Sequence, residues 1–206
     1  MNENKKKASN ENERVVVNPV ETAVLVVDMQ KDCCYEDGAL FVGDAVRRII
    51  PNIRALLEDA QRKGLQLIFT QDWHSPEDDE FAVWGRHCVE YTRGAELIDE
   101  LAEVEAEVEP EARAFVVRKQ KYTAFFETEL EAHLVEKGIK KLIIVGVATN
   151  ICVLHTAIDA SLRGFEIIVP EDCVAALSDY EQEYSLYHIK NVLKGIVTSS
   201  DAITFL

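Results

Sequence analysis

The sequence predicts a single three-layer α/β domain, with about six strands in a mostly parallel, doubly wound sheet and helices on both faces. Three observations predict it. From residue 23 to the C-terminus, short β-branched runs alternate with segments of helical periodicity. Several of those runs are apolar throughout, the pattern of strands covered on both faces. The length of 206 residues, 48% of them hydrophobic, suits one ordinary domain with a full core.

Residues 1–14 are polar and offer almost nothing to bury, so a disordered tail is expected before a domain spanning 15–206. Ala23–Val27 (AVLVV) reads as the first strand and runs into Asp28. Asp44–Lys63 has helical spacing, with Val46, Ile49, Ile50, Ile53, Leu56 and Leu57 on one face. Asp44 is its expected N-cap and Gly64 its stop. Leu65–Thr70 is the next strand. Residues 72–95 lack clear periodicity and hold both tryptophans and two of the five histidines. A loop of that length inside a compact domain is usually functional. A weak acidic helix then precedes the strand Phe115–Val117. Glu127–Lys137 is helical and stopped by Gly138, Leu142–Val147 is the most apolar strand, and a helix runs from Ile151 to Arg163 before Gly164. The strand Glu166–Val169, the helix Tyr180–Leu193 and the strand Ile196–Thr198 complete the series. Ligands in such sheets sit beyond the carboxyl ends of the strands. The candidates are therefore the polar residues there: Asp28, Gln71–Asp72, Lys119 and the 146–152 turn.

A formal charge of −15 speaks against a nucleic-acid partner and against attraction to anionic lipid. No apolar run follows the polar N-terminus as a secretory leader requires, and none approaches the roughly 18 residues of a membrane span. Cys33, Cys34, Cys88, Cys152 and Cys173 are odd in number and lack CxxC spacing. They read as free thiols, with the cytoplasm as the expected location. Neither GxGxxG nor GxxxxGK[ST] occurs, so no organic cofactor is expected.

Gly146-Val147-Ala148-Thr149-Asn150-Ile151-Cys152 leads from a buried strand through a tight turn into a helix. A thiol at a helix start faces unpaired N–H groups and the positive end of the helix dipole, which favour thiolate and can hold an oxyanion. The alternative is a buried small hydrophobe, the commonest fate of a free cysteine. Asp28 ends a strand of hydrocarbon, where a carboxylate either caps a turn or works at a site. Lys119 ends another strand and, alone, would read as solvated. Together the three place an acid/base, a cation and a thiol at one sheet edge. In the loop, Asp72, His74 and His87 offer the oxygen and nitrogen ligands of a first-row divalent ion, although two loop histidines also fit a polar surface. Glu80 is either a further ligand or part of the acidic Glu77–Glu80 run, and the run is the better reading. Lys121 competes with Lys119, and His155 with a helix-face role against a Cys–His pair.

The segments GVATNICVLHTAIDA (Gly146–Ala160), VVDMQKD (Val26–Asp32) and K-x-x-Y-T-A-F (Lys119–Phe125) resemble the isochorismatase-like cysteine hydrolases. The resemblance runs from about residue 20 to the C-terminus, with the motifs in the family's order. It implies an Asp28–Lys119–Cys152 triad, a cis peptide at Val147–Ala148, and an oxyanion hole from the N–H groups of Ala148 and Cys152. It also places Lys119 rather than Lys121 in register. Within the family, QDWH and WGRHC resemble the nicotinamidases. That likeness implies a metal on Asp72, His74 and His87, with Glu80 added in some members. Zinc is the expected metal, with manganese or iron as alternatives. It further implies a pocket walled by Trp84, Cys33 and Tyr122, a small amide as substrate, and a homo-oligomer. Three departures stand out: Cys33 where the family often has phenylalanine, Thr123 where serine is usual, and Trp-Gly-Arg-His where nicotinamidases commonly have Trp-Pro-x-His.

The expected activity is a cysteine-dependent amidohydrolase, nicotinamidase first and another amide, ureido or isochorismatase-type hydrolase second. A non-catalytic binding protein with this fold is opposed by the intact triad. A thiol redox protein is opposed by the lack of a resolving cysteine in CxxC spacing.

Overall fold

The computed structural model describes residues 14–106 and 114–206. The expected disordered tail lies, apart from Arg14, outside the described residues. In chain order the elements are β1 (Val15–Val17), β2 (Thr22–Val27), α1 (Lys31–Cys34), α2 (Ala45–Arg62), β3 (Gln66–Asp72), α3 (Phe81–Trp84), α4 (Asp99–Ala106), β4 (Phe115–Lys119) and α5 (Leu130–Glu136). They continue as β5 (Lys141–Val147), a π-helical turn (Thr149–Val153), α6 (Leu154–Leu162), β6 (Glu166–Pro170), β7 (Val174–Ala175), α7 (Asp179–Asn191), β8 (Ile196–Thr198) and β9 (Ile203–Phe205).

The main sheet runs β4-β3-β2-β5-β6-β8, with β7 beside β5, and every pairing is parallel. The predicted fold class is the observed one, with β7 making a seventh strand. β2 is buried along its whole length, which is why it reads as an unbroken apolar run. Its side chains alternate between two cores. Val24 and Val26 pack with Ile49, Ile53 and Leu57 of α2, whereas Ala23, Leu25 and Val27 pack with Leu134 of α5 and Ala157 of α6. These are the two outer helical layers. From β2 the chain winds outward to β3 and β4, then returns to β5 and winds the other way. The switch of direction falls between β2 and β5, so their carboxyl ends border the crevice where such folds bind ligands.

α2 matches its predicted span, and Gly64 supplies the expected left-handed stop with φ +74°. Asp44 is less than predicted: it occupies the N-cap position with helical φ but makes no side-chain capping bond. α5 starts three residues later than the periodicity implies, because Glu127 is left-handed (φ +54°) and cannot continue a helix. β1 and β9 pair in register as a separate two-stranded parallel sheet, which three-residue strands did not announce in the sequence.

Candidate active site

Asp28 follows β2, Lys119 ends β4 and Cys152 lies in the turn after β5, so three strands deliver the three residues to one edge. Gly146 permits the close approach of β5 to β2. Its φ is +114°, and a Cβ there would come within 2.1 Å of the Val27 carbonyl oxygen. The next peptide, Val147–Ala148, is cis, as the resemblance implied.

Cys152 does not open an α-helix. It sits inside the π-helical turn, where the N–H groups of Ile151 and Val153 both donate to the Ala148 carbonyl and α6 begins only at Leu154. Such turns concentrate at functional sites. Lys119, 2% exposed, reaches three groups: Asp28 Oδ2 at 2.7 Å, Asp72 Oδ1 at 2.5 Å and Cys152 Sγ at 3.6 Å. The contact with Asp28 is an ion pair off the line of a hydrogen bond, and that with Asp72 is a hydrogen bond.

Two residues that sequence reasoning missed hold the carboxylates. Thr70 Oγ1 donates to Asp28 Oδ1 at 2.6 Å and accepts from the Asp28 N–H at 3.1 Å, fixing both ends of a residue with φ +50°. Gln30, wholly buried, grips the backbone of Asp72. Its Oε1 accepts from Asp72 N at 2.8 Å, and its Nε2 donates to the carbonyls of Asp72 and Ala95, each at 2.9 Å. Gln30 lies inside the VVDMQKD motif, which was its one visible signal.

One lysine cannot neutralise two carboxylates. Burial and the charge of Asp72 push the Asp28 carboxyl above its ordinary range, against the pull of Lys119. Burial would lower Lys119, but Asp28 and Asp72 outweigh it and hold the ammonium well above its ordinary value. The sequence reading set the cation of Lys119 and the Cys152 thiol at one sheet edge. The contact exists, but burial, joined by the charges of Asp28 and Asp72, outweighs the pull of Lys119 and pushes the thiol well above its ordinary range.

Asp72, His74 and His87 are brought together as predicted, their ligand atoms within 4.8 Å of one another and all three residues buried. The donor set fits a divalent ion. His74 Nε2 is buried without a partner, while its Nδ1 lies 3.1 Å from Asp78 Oδ2, the carboxylate support that metal-bound histidines commonly have. His87 Nδ1 lies 2.8 Å from the Gly85 carbonyl, which fixes the proton there and leaves Nε2 as the ligand atom. Asp78 was passed over as one acid in a run. Glu80 groups with His74 and Asp78 rather than with the Asp72 set, and its Oε2 lies 3.4 Å from Lys121 Nζ.

Both clusters open on one small pocket, a cavity of about 40 Å³. Cys152, Asp28, Asp72 and His87 line it, as do the predicted wall residues Trp84, Cys33 and Tyr122. Trp84 Nε1 donates to Tyr122 Oη at 3.0 Å, locking the two rings edge to face. Ala148 lines the pocket beside Cys152, and Leu40, Val42 and Leu177 complete a largely apolar wall that the sequence did not reveal. His155 is an exposed helix-face residue whose Nδ1 meets the Ile151 carbonyl, and Lys121 is surface-exposed.

Fold and site together define a doubly wound α/β protein with a lysine-bridged acid and thiol at the switch point of its sheet. Its family follows from comparison: the isochorismatase domain model matches residues 22–202, and the chain belongs to that family. The nicotinamidase/pyrazinamidase PncA from Bacillus subtilis superposes with a TM-score of 0.83 at 32% identity, over 87% of this chain and 100% of that one. The pyrazinamidase of Pyrococcus horikoshii in complex with zinc gives 0.73 at 32% identity, over 90% and 98%. The ureidoacrylate amidohydrolase RutB of Yersinia enterocolitica is 30% identical over 203 residues, 89% of this chain and 87% of that protein. Among the described residues no helix is long and apolar enough to cross a membrane.

Proposed function

We propose that the protein is a cysteine amidohydrolase whose substrate is nicotinamide or a closely similar planar amide. The observation that carries this reading is the convergence of the Asp28–Lys119–Cys152 cluster and the Asp72–His74–His87 cluster on one pocket walled by Trp84 and Tyr122. The names of the Bacillus and Pyrococcus relatives support it.

In this mechanism the Cys152 sulfur attacks the amide carbonyl while its proton passes to Asp28, whose raised pKa suits it to accept one. The backbone N–H groups of Ala148 and Cys152 hold the resulting oxyanion. Asp28 returns the proton to the departing ammonia, leaving a thioester on Cys152. Water then attacks the thioester with Asp28 as base, releasing the carboxylic acid and restoring the thiol. Lys119 remains charged throughout and keeps Asp28 aligned. Asp72, His74 and His87 would hold zinc or a similar divalent ion, which would supply a Lewis-acidic site suited to a ring nitrogen of the substrate.

A ureido-type amide is the second reading, favoured by the RutB relative and by Cys33, a smaller wall residue than phenylalanine. The test is ammonia release from nicotinamide, pyrazinamide and ureidoacrylate, with zinc-loaded and chelator-treated protein and with Cys152→Ala. Turnover of nicotinamide that needs both metal and Cys152 is the expected result. Preference for ureidoacrylate moves the assignment to the second reading, and substantial turnover by Cys152→Ala overturns the mechanism.

A further inference from the structure

Cys33 and Cys88 are 55 residues apart in sequence, yet their Sγ atoms lie 3.9 Å apart. Both are buried and free. Backbone bonds set this contact. The Cys88 N–H donates at 2.8 Å to Oδ2 of Asp32, the residue beside Cys33, and the Cys88 carbonyl accepts from the His74 N–H at 3.1 Å. Asp32 is itself confined: its Oδ1 accepts from the Ala39 N–H, and its carboxylate is packed so close to Gly94 that a Cβ there would overlap it. The two thiols thus face each other across a fixed joint between α1 and the metal-ligand loop.

Their placement differs in one respect that matters. Cys33 lines the reaction pocket, whereas Cys88 lies behind it, directly after His87. A small reagent that enters the pocket can reach Cys33 as well as Cys152, and Cys33 alone of the two has Cys88 in contact behind it. Cys34 is differently placed, with its sulfur against Met29 Sδ at 4.0 Å.

We propose that Cys33 and Cys88 are a modification site, forming a disulfide when a hydroperoxide enters the pocket, and that this bond shuts the site down. The Cys33 sulfur displaces one peroxide oxygen, giving a sulfenic acid and an alcohol, or water from hydrogen peroxide. The Cys88 sulfur then attacks the Cys33 sulfur and expels water. Two thiols lose two electrons and two protons, and the peroxide is reduced. A disulfide needs its sulfurs at about 2.05 Å. Closing that gap pulls a pocket wall and the residue bonded to His87 towards each other, displacing a metal ligand and the wall opposite it. A thiol reductant reverses the change. The inhibitory part rests on the amidohydrolase reading; the crosslink does not.

The test treats the Cys152→Ala protein, free of the competing pocket thiol, with a small excess of hydrogen peroxide, then alkylates it and maps its peptides. The expected product is lighter by two hydrogens and joins the peptides of Cys33 and Cys88. Dithiothreitol cleaves it, and it is absent when Cys33→Ser or Cys88→Ser is added. Retention of all four thiols, or a link that uses Cys34 or Cys173, overturns the proposal. In the protein with Cys152 intact, amide hydrolysis should fall in proportion to the linked fraction and return with dithiothreitol. Cys88→Ser should slow that loss relative to its own untreated activity. An equal rate of inactivation in Cys88→Ser overturns the inhibitory role, whatever the substrate proves to be.

Discussion

Thr70→Val isolates the device that aims Asp28. Valine keeps the shape of threonine and removes the hydroxyl, and with it two bonds: the 2.6 Å donation to Asp28 Oδ1 and the 3.1 Å acceptance from the Asp28 N–H. Thr70 is 1% exposed, so water cannot easily replace either. A hydrogen bond to a charged group contributes about 1.5–3 kcal/mol. If that stabilisation is felt in the proton-transfer step, kcat falls roughly 10- to 150-fold with KM little changed. Stability falls separately, by about 1–3 kcal/mol, for the orphaned Asp28 N–H.

The pH profile tells alignment from simple damage. Burial and Asp72 raise the Asp28 pKa, and the Thr70 bond lowers it. Removing that bond raises it further. In the proposed mechanism Asp28 must be ionised to accept a proton, so activity should disappear as pH falls through its pKa, and in Thr70→Val at higher pH. Thr70→Ser keeps the oxygen and should restore both the rate and the profile. The assay is ammonia release against pH, beside a denaturation curve. A valine variant that keeps kcat within a factor of about two and an unshifted acid limb would refute the reasoning, because the expected loss is at least tenfold.

Gln30→Met removes both bonds to the Asp72 backbone, and zinc affinity measured by competition with a chromophoric chelator should drop about tenfold, as for other supports behind a ligand; unchanged affinity would mean the Asp72 backbone is held without it. Gly146→Ala should destabilise the fold by about 3 kcal/mol in urea, since the new Cβ meets the Val27 oxygen and φ is +114°; an unmoved midpoint would contradict that close approach. Burial would raise Asp159, but the bonds from Thr123 and Arg163 outweigh it and hold its pKa below the ordinary value. A depressed carboxylate stabilises above its unfolded pKa of about 3.9 and loses that contribution as pH falls through the folded value. The Tm gap between the natural protein and Asp159→Asn should therefore narrow below about pH 4, and a gap independent of pH would count against the ion pair.

What could be read from the sequence was what depends on neighbours along the chain. β2 and β5 announced themselves because both faces of each are buried; Asp28 stood out as a carboxylate directly after the first, and Cys152 as a thiol where the turn after the second leads into a helix. The roles of Thr70, and of Gln30 beyond its place in the VVDMQKD motif, were hidden for a different reason. Their roles come from the parallel register that sets Val26 opposite Phe69, so that the end of β3 lies beside the turn after β2. No local pattern encodes that register. The left-handed Glu127 and the π-helical turn shifted two helix starts because periodicity reports a face, not a first hydrogen bond. The Cys33–Cys88 contact, 55 residues apart, is the same lesson for thiols: spacing rules find CxxC and miss pairs made by packing.

Asp72 joins the two halves of the site. It bonds Lys119 and also groups with His74 and His87 as a candidate metal-ligand set, so one carboxylate stands between the lysine–thiol cluster and the candidate metal position. Without that second acid, Lys119 would pair with Asp28 alone, and its remaining charge could favour a thiolate. With it, the lysine faces two acids, and burial together with their charges pushes both the Cys152 thiol and the Asp28 carboxyl above their ordinary ranges. In the proposed mechanism the nucleophile is generated only when a carbonyl is in place and the proton can move to Asp28 as the carbon–sulfur bond forms. On that mechanism the arrangement gives up a ready-made thiolate and gains a cysteine whose proton leaves only as it attacks the bound amide.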